Sequence, residues 1–183
     1  MKQIYIVLTS TGTLLSKIIR FYTKDEFSHV SISLDRNLTQ MYSFGRHYAY
    51  NPFYGGFFHE YIDKGTFKRF YNTKTRVYSL DIEDEQYEIL KNTIADFEEK
   101  RNILKFNFIG LVGVGFDKKL KRKNYFYCAE FLKYLFDKAG IQNNLPELTR
   151  PESFKQLNSL NQIYSGLLRN YSTNEQKEKV GIT

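Results

Sequence analysis

A single cysteine, Cys128, is what most constrains this chain: no internal disulfide can form, so a fold of 183 residues has to be held by its core. The material for a core is present. Hydrophobic residues make up 42% of the chain and aromatics 17%, as 16 Phe and 15 Tyr with no Trp, which argues against intrinsic disorder over most of the length. The length suits one domain. A formal charge of +7, from 27 basic and 20 acidic residues, suits an anionic lipid surface, an acidic polymer or nucleic acid, and selects none of them. The opening Met1–Thr9 is short, partly alternating and without a small-residue cleavage site, so it reads as a strand rather than a signal peptide. No run reaches the roughly 20 apolar residues of a membrane span. A soluble, cytoplasmic protein is the expectation.

Periodicity divides the chain into elements. Residues 3–9 read as a strand, and Ser10-Thr11-Gly12-Thr13 as a turn able to cap a helix whose apolar row is Leu14, Leu15, Ile18, Ile19 and Tyr22. Phe27–Leu34 is a second strand, Asp35-Arg36-Asn37 a hairpin turn, and about Leu38–Phe44 a third strand. Residues 46–75 read as a Tyr-, Phe- and Gly-rich loop followed by a short strand near Phe57–Ile62. Arg76–Ile82 is a strand, and Asp84 caps a helix with Tyr87, Leu90, Ile94 and Phe97 inward. A helix runs from about Cys128 to Lys138 and is ended by Gly140; a short helix follows near Pro151–Leu160. The domain is expected to span 1–165, with 166–183 a polar, frayed tail.

Cys128 opens its helix. There, unpaired backbone N–H groups and the helix dipole favour an anion, and the same N–H groups can hold a developing oxyanion. The alternative is a buried structural cysteine. His29 lies in the strand Ser28-His29-Val30-Ser31-Ile32-Ser33, where His29, Ser31 and Ser33 share the face opposite Val30 and Ile32. An imidazole on that face can exchange a proton with a thiol at a helix start. The alternative is a strand histidine bonded to a neighbour.

The words around the two residues resemble those of a known group. Ser28-His29-Val30-Ser31-Ile32 resembles the "S-H-V-G-I" strand of the permuted NlpC-type papain-like superfamily, and Tyr127-Cys128-Ala129-Glu130-Phe131 its "Y-C-S-E" helix start. The entry segment with Leu14–Ile19 and Thr23 resembles the YiiX-like branch, related to the lecithin:retinol acyltransferase-like proteins. His before Cys is the permuted order, and the match covers roughly residues 3–140. The resemblance implies an α+β, circularly permuted papain-like fold in which a small antiparallel sheet packs against helices and the catalytic Cys sits at a helix N-terminus. It implies hydrolysis or acyl transfer at an amide or ester, on a cell-wall type peptide or an acyl lipid, through a thioester on Cys128 with His29 as base. It also implies a third polar residue, on the next strand, that orients the histidine. That region is Gln40-Met41-Tyr42-Ser43-Phe44, which points to Tyr42, with Ser43 its neighbour and Glu60 able to reach in from elsewhere. Tyr127 joins the backbone N–H groups as an oxyanion donor.

Other residues carry less. His47 and His59 lack metal-ligand spacing with His29, so neither a metal nor a cofactor is expected. Arg46 can point into the cleft and bind a carboxylate or phosphate, or be solvated. The basic run Lys118–Lys123 suits an anionic membrane surface or a solvated loop; nucleic acid is not the expected partner. Two other classes stay open: a catalytically silent ligand-binding member of the same fold, and a basic membrane-surface or nucleic-acid module. The oligomeric state is not legible.

Overall fold

Strands form where β-branched and aromatic residues alternate, and helices where apolar residues recur every three or four. The computed structural model describes residues 1–46, 54–110 and 122–171. In chain order the strands are β1 (Lys2–Ser10), β2 (His29–Ser33), β3 (Met41–Arg46), β4 (Gly55–Glu60), β5 (Lys74–Ile82), β6 (Lys105–Phe106), β7 (Tyr125–Phe126) and β8 (Asn161–Leu167). The helices are α1 (Leu14–Thr23), α2 (Gly65–Arg69), α3 (Asp84–Glu99) and α4 (Cys128–Lys138), with 3-10 turns at Pro151–Gln156 and Leu168–Asn170. The fold is mixed α+β: an antiparallel six-stranded sheet in the order β4-β3-β2-β1-β5-β8, and a short parallel pair, β6 with β7.

The period of two divides the sheet into two faces. Ile4, Ile6, Leu8, Val30, Ile32, Phe44 and Phe57 point to one side and are covered by α3 and α4 through Leu90, Ile94, Phe97, Phe131 and Leu135. Much of the aromatic content is spent here. The Phe44 ring lies 5.2 Å from Phe131, 5.7 Å from Phe57 and 5.9 Å from Phe97, in the tilted and edge-on geometries that aromatic quadrupoles favour. On the other side Tyr5, Val7, Met41 and Val77 form a smaller cluster with Phe67, Tyr164, Leu168 and Tyr171.

Several expectations are corrected. The polar tail does not begin at 166: β8 pairs with β5, and Leu168 and Tyr171 are buried, because the edge of β5 and the second apolar cluster need a cover. Residues 172–183 lie outside the described residues, as do His47 and the first half of the Tyr48–Phe58 stretch. The second half forms β4, and α2 follows inside what read as loop. The helix expected after Asp84 is capped by Glu83, whose carboxylate accepts from the backbone of Gln86 while the Gln86 side chain returns the bond. The helix expected from Leu14 is present, with Thr13 Oγ1 accepting from Ser16 N–H at 3.2 Å; its apolar row, Leu14, Leu15, Ile18, Ile19 and Tyr22, lies outside the described side chains. Helix α4 runs over the expected Cys128–Lys138, and Gly140 ends it at φ +66°, a conformation without a Cβ penalty.

Candidate active site

Two structural details bring the cysteine to the histidine. Strand β7 ends one residue before Tyr127, the N-cap of α4, and pairs with β6, which packs beside β4. Gly56 of β4 permits that approach: a Cβ there would lie 2.5 Å from the Leu104 carbonyl oxygen. Helix α4 also packs on β2 and β3. Its first residue, Cys128, is buried at 3% exposure, and Tyr127 caps no N–H with its side chain, so the first-turn N–H groups are not taken up by an N-cap side chain.

His29 is the first residue of β2, opposite Thr9 of β1. Its Nε2 lies 2.9 Å from Glu60 Oε1, with the His29 side chain 20% exposed and the Glu60 side chain 6%. The second Glu60 oxygen accepts from the Ser31 hydroxyl. Glu60 closes β4, where the register sets it beside Met41 of β3, which in turn faces Ser33 of β2. His29 and Cys128 line one cleft of about 80 Å³ together with Glu60, Arg46, Thr13 and Ser28. Burial alone would lower the imidazole pKa; the Glu60 carboxylate and the hydrogen bonds to Cys128 and Glu60 outweigh it and raise it from 6.5 to about 10. With Nε2 committed to Glu60, Nδ1 is the nitrogen left for the thiol.

Of the expected site residues, the cleft brings together Cys128, His29, Glu60 and Arg46. Tyr42 is not beside the histidine. It pairs with Ile32, faces the opposite side of the sheet and stacks on His59 at 4.8 Å and Phe57 at 5.9 Å. The place given to Tyr42 is filled by Glu60, because Tyr42 pairs with Ile32 and so shares its apolar face, whereas Glu60 pairs with Met41 on the face of His29 and Ser31. Ser43 is buried with its hydroxyl donated to the Val30 carbonyl at 2.8 Å. Tyr127 is a buried N-cap residue outside the cleft lining, its phenol pKa raised by burial and then by Glu130. Arg46 donates from Nη2 to Thr13 Oγ1 at 3.2 Å, and burial pulls its pKa down.

Three residues had no assigned role in the sequence. Ser31 holds the second Glu60 oxygen; its signal was the face it shares with His29. Ser28 and Ser16 share a hydroxyl–hydroxyl bond of 2.6 Å that ties α1 to the start of β2. His59 bonds the Thr39 carbonyl through Nε2 at 2.6 Å, on the face away from His29. Of the basic run, Lys118–Lys121 lie outside the described residues, while Arg122 stacks on the Tyr125 ring at 3.8 Å. Among the described residues, no helix is long and apolar enough to cross a membrane. Comparison with known proteins finds no family model that matches this chain and no matching curated protein.

Proposed function

We propose that this chain is a cysteine hydrolase or acyltransferase of the permuted papain-like kind, acting on an amide or ester through a thioester on Cys128. The observation that carries the reading is the imidazole of His29, bonded to the buried carboxylate of Glu60 and sharing one cleft with the Cys128 thiol. Glu60 accepts from Nε2–H and so selects the tautomer whose Nδ1 faces the sulfur. Unlike a tyrosine, it also supplies a charge that stabilises the imidazolium. With the imidazole pKa near 10, His29 holds a proton at neutral pH, the form that can protonate a leaving group.

In the proposed reaction the Cys128 sulfur attacks the substrate carbonyl carbon, and the carbonyl π pair moves onto oxygen beside the first-turn N–H groups of α4. The C–S bond forms. Collapse breaks the bond to the amine or alkoxide, which leaves with the proton from His29. His29 then takes a proton from water or another acceptor, whose oxygen or nitrogen displaces the sulfur and regenerates the thiolate.

Iodoacetamide tests the reading, since Cys128 is the one thiol in the chain. Rapid alkylation at pH 6–7 that falls sharply in His29→Ala supports it; a rate equal to that of a free thiol at the same pH, and unchanged in His29→Ala, overturns it.

A further inference from the structure

Strand β2 begins at His29 itself, so the imidazole sits at the end of a ladder, where strands open most easily. The chain before it is irregular. It leaves α1 through Lys24, at φ +58°, and reaches β2 through residues 25–28. Local bonds secure only its last residue: Ser28 N–H donates to the Thr9 carbonyl at 3.2 Å, and the Ser28 hydroxyl bonds that of Ser16.

The next tie comes from the far end of the chain. Glu152, in the 3-10 turn Pro151–Gln156, accepts from the Phe27 N–H through Oε1 at 2.9 Å. A carboxylate on a backbone N–H is one of the stronger hydrogen bonds a protein makes. The other Glu152 oxygen pairs with Lys155, whose ammonium lies 3.5 Å from Glu26 and 4.8 Å from the centre of the Phe27 ring. Arg76 of β5 completes the set, 2.9 Å from the same Glu26 oxygen and 5.5 Å from the centre of the same ring. Backbone and ring of Phe27 are thus both held.

The same turn also reaches the helix that carries the cysteine. Phe154 and Phe136 of α4 are both fully buried, and their rings meet edge-on at 5.9 Å. One short turn therefore touches the segment that delivers His29 and the helix that begins with Cys128. Phe27 is two residues, about 7 Å of extended chain, from His29. A shift of about 1 Å there is passed on to the imidazole, and a misplacement of that size slows a reaction by up to about a hundredfold.

We propose that the turn Pro151–Gln156 is a brace that sets His29 against Cys128, with Glu152 as a positioning residue acting through the Phe27 N–H. It rests on the cysteine-enzyme reading for its kinetic readout, but not for its structural one.

Two measurements test it on the full chain. The first is the burst with p-nitrophenyl acetate, in which the Cys128 sulfur takes the acetyl group and p-nitrophenol is released. Glu152→Ala should lower the acylation rate constant by about tenfold or more, with the half-saturating ester concentration within about twofold of wild type. Glu152→Gln should recover most of that loss, because its amide oxygen still accepts from Phe27. Lys155→Met, which leaves the Phe27 bond in place, should lose less than Glu152→Ala. The second is amide hydrogen exchange. The Phe27 N–H should be protected in the wild type, and exchange at Phe27, Ser28 and His29 should quicken in Glu152→Ala while the centre of β1 stays protected. An acylation rate unchanged in Glu152→Ala, or lowered as far in Glu152→Gln, overturns the proposal. So does an unprotected Phe27 N–H in the wild type, a result that needs no variant to fold. Acylation of the wild-type protein that is indifferent to His29→Ala instead overturns the cysteine-enzyme reading, and the exchange at Phe27 still decides whether the brace exists.

Discussion

The two faces of β2 are built from alternate residues of one short strand, yet they obey different rules. Val30 and Ile32 face α4 and a cluster of rings, where stability comes from apolar area and tight packing. His29 and Ser31 face the other way, towards Glu60, where every buried polar atom has to be matched by a partner. The first face tolerates exchange among residues of similar shape. The second does not, since removing one member of a buried network strands the others. The candidate histidine and its carboxylate are therefore on the face with the fewest substitutable parts, while the helix that carries Cys128 packs on the other.

This contrast can be broken at both faces. The largest effect is expected from His29→Ala, which should lower thioester formation from an activated ester by about 10²–10⁴-fold with the fold intact, read by burst kinetics and circular dichroism. On the apolar face, Phe44→Ala should cost roughly 3–5 kcal/mol in denaturant unfolding, because it empties a ring-lined space between β3, α3 and α4.

Glu60→Gln should cost about 2 kcal/mol and return the His29 pKa towards 6.5, measured by NMR of its ring protons. It should also remove a pH dependence. Since the folded-state pKa of His29 is raised, the stability it contributes is fully present below about 6.5 and is lost as pH rises through about 10. In Glu60→Gln the unfolding free energy should flatten across that window. On the proposed reading, turnover by the wild-type protein should fall over the same upper limb, where no imidazolium remains to protonate the leaving group. The smallest effect is expected from Ser31→Ala, about 1.5 kcal/mol in denaturant unfolding, as one Glu60 oxygen loses its donor. If Ser31→Ala instead matches Phe44→Ala in cost, the polar face is as much a part of the core as the apolar one.

What could be read in advance follows the range of each signal. The span of α4 was legible because its apolar spacing and the terminating Gly140 lie within a few residues of each other. The face of His29 was legible because alternation in β2 is local. Strand β8 was not: its residues alternate weakly, and it is a strand because β5 offers an unpaired edge. The N-terminal turn of α1 was legible as a cap, but the second bond of Thr13, to Arg46, joins residues distant in the chain.

The candidate site divides the same way. By itself the sequence determined that a cysteine opens a helix and that a histidine occupies the polar face of a strand, since both depend on backbone periodicity over a few residues. Tertiary structure alone decided that Glu60, not Tyr42, meets the histidine. The choice depends on the register of β4 on β3, on the closeness of β6 to Gly56, and on the twist that carries the end of one strand to the start of another. Those are pairings between distant segments, and pairings of that kind are settled by the packing of the whole sheet.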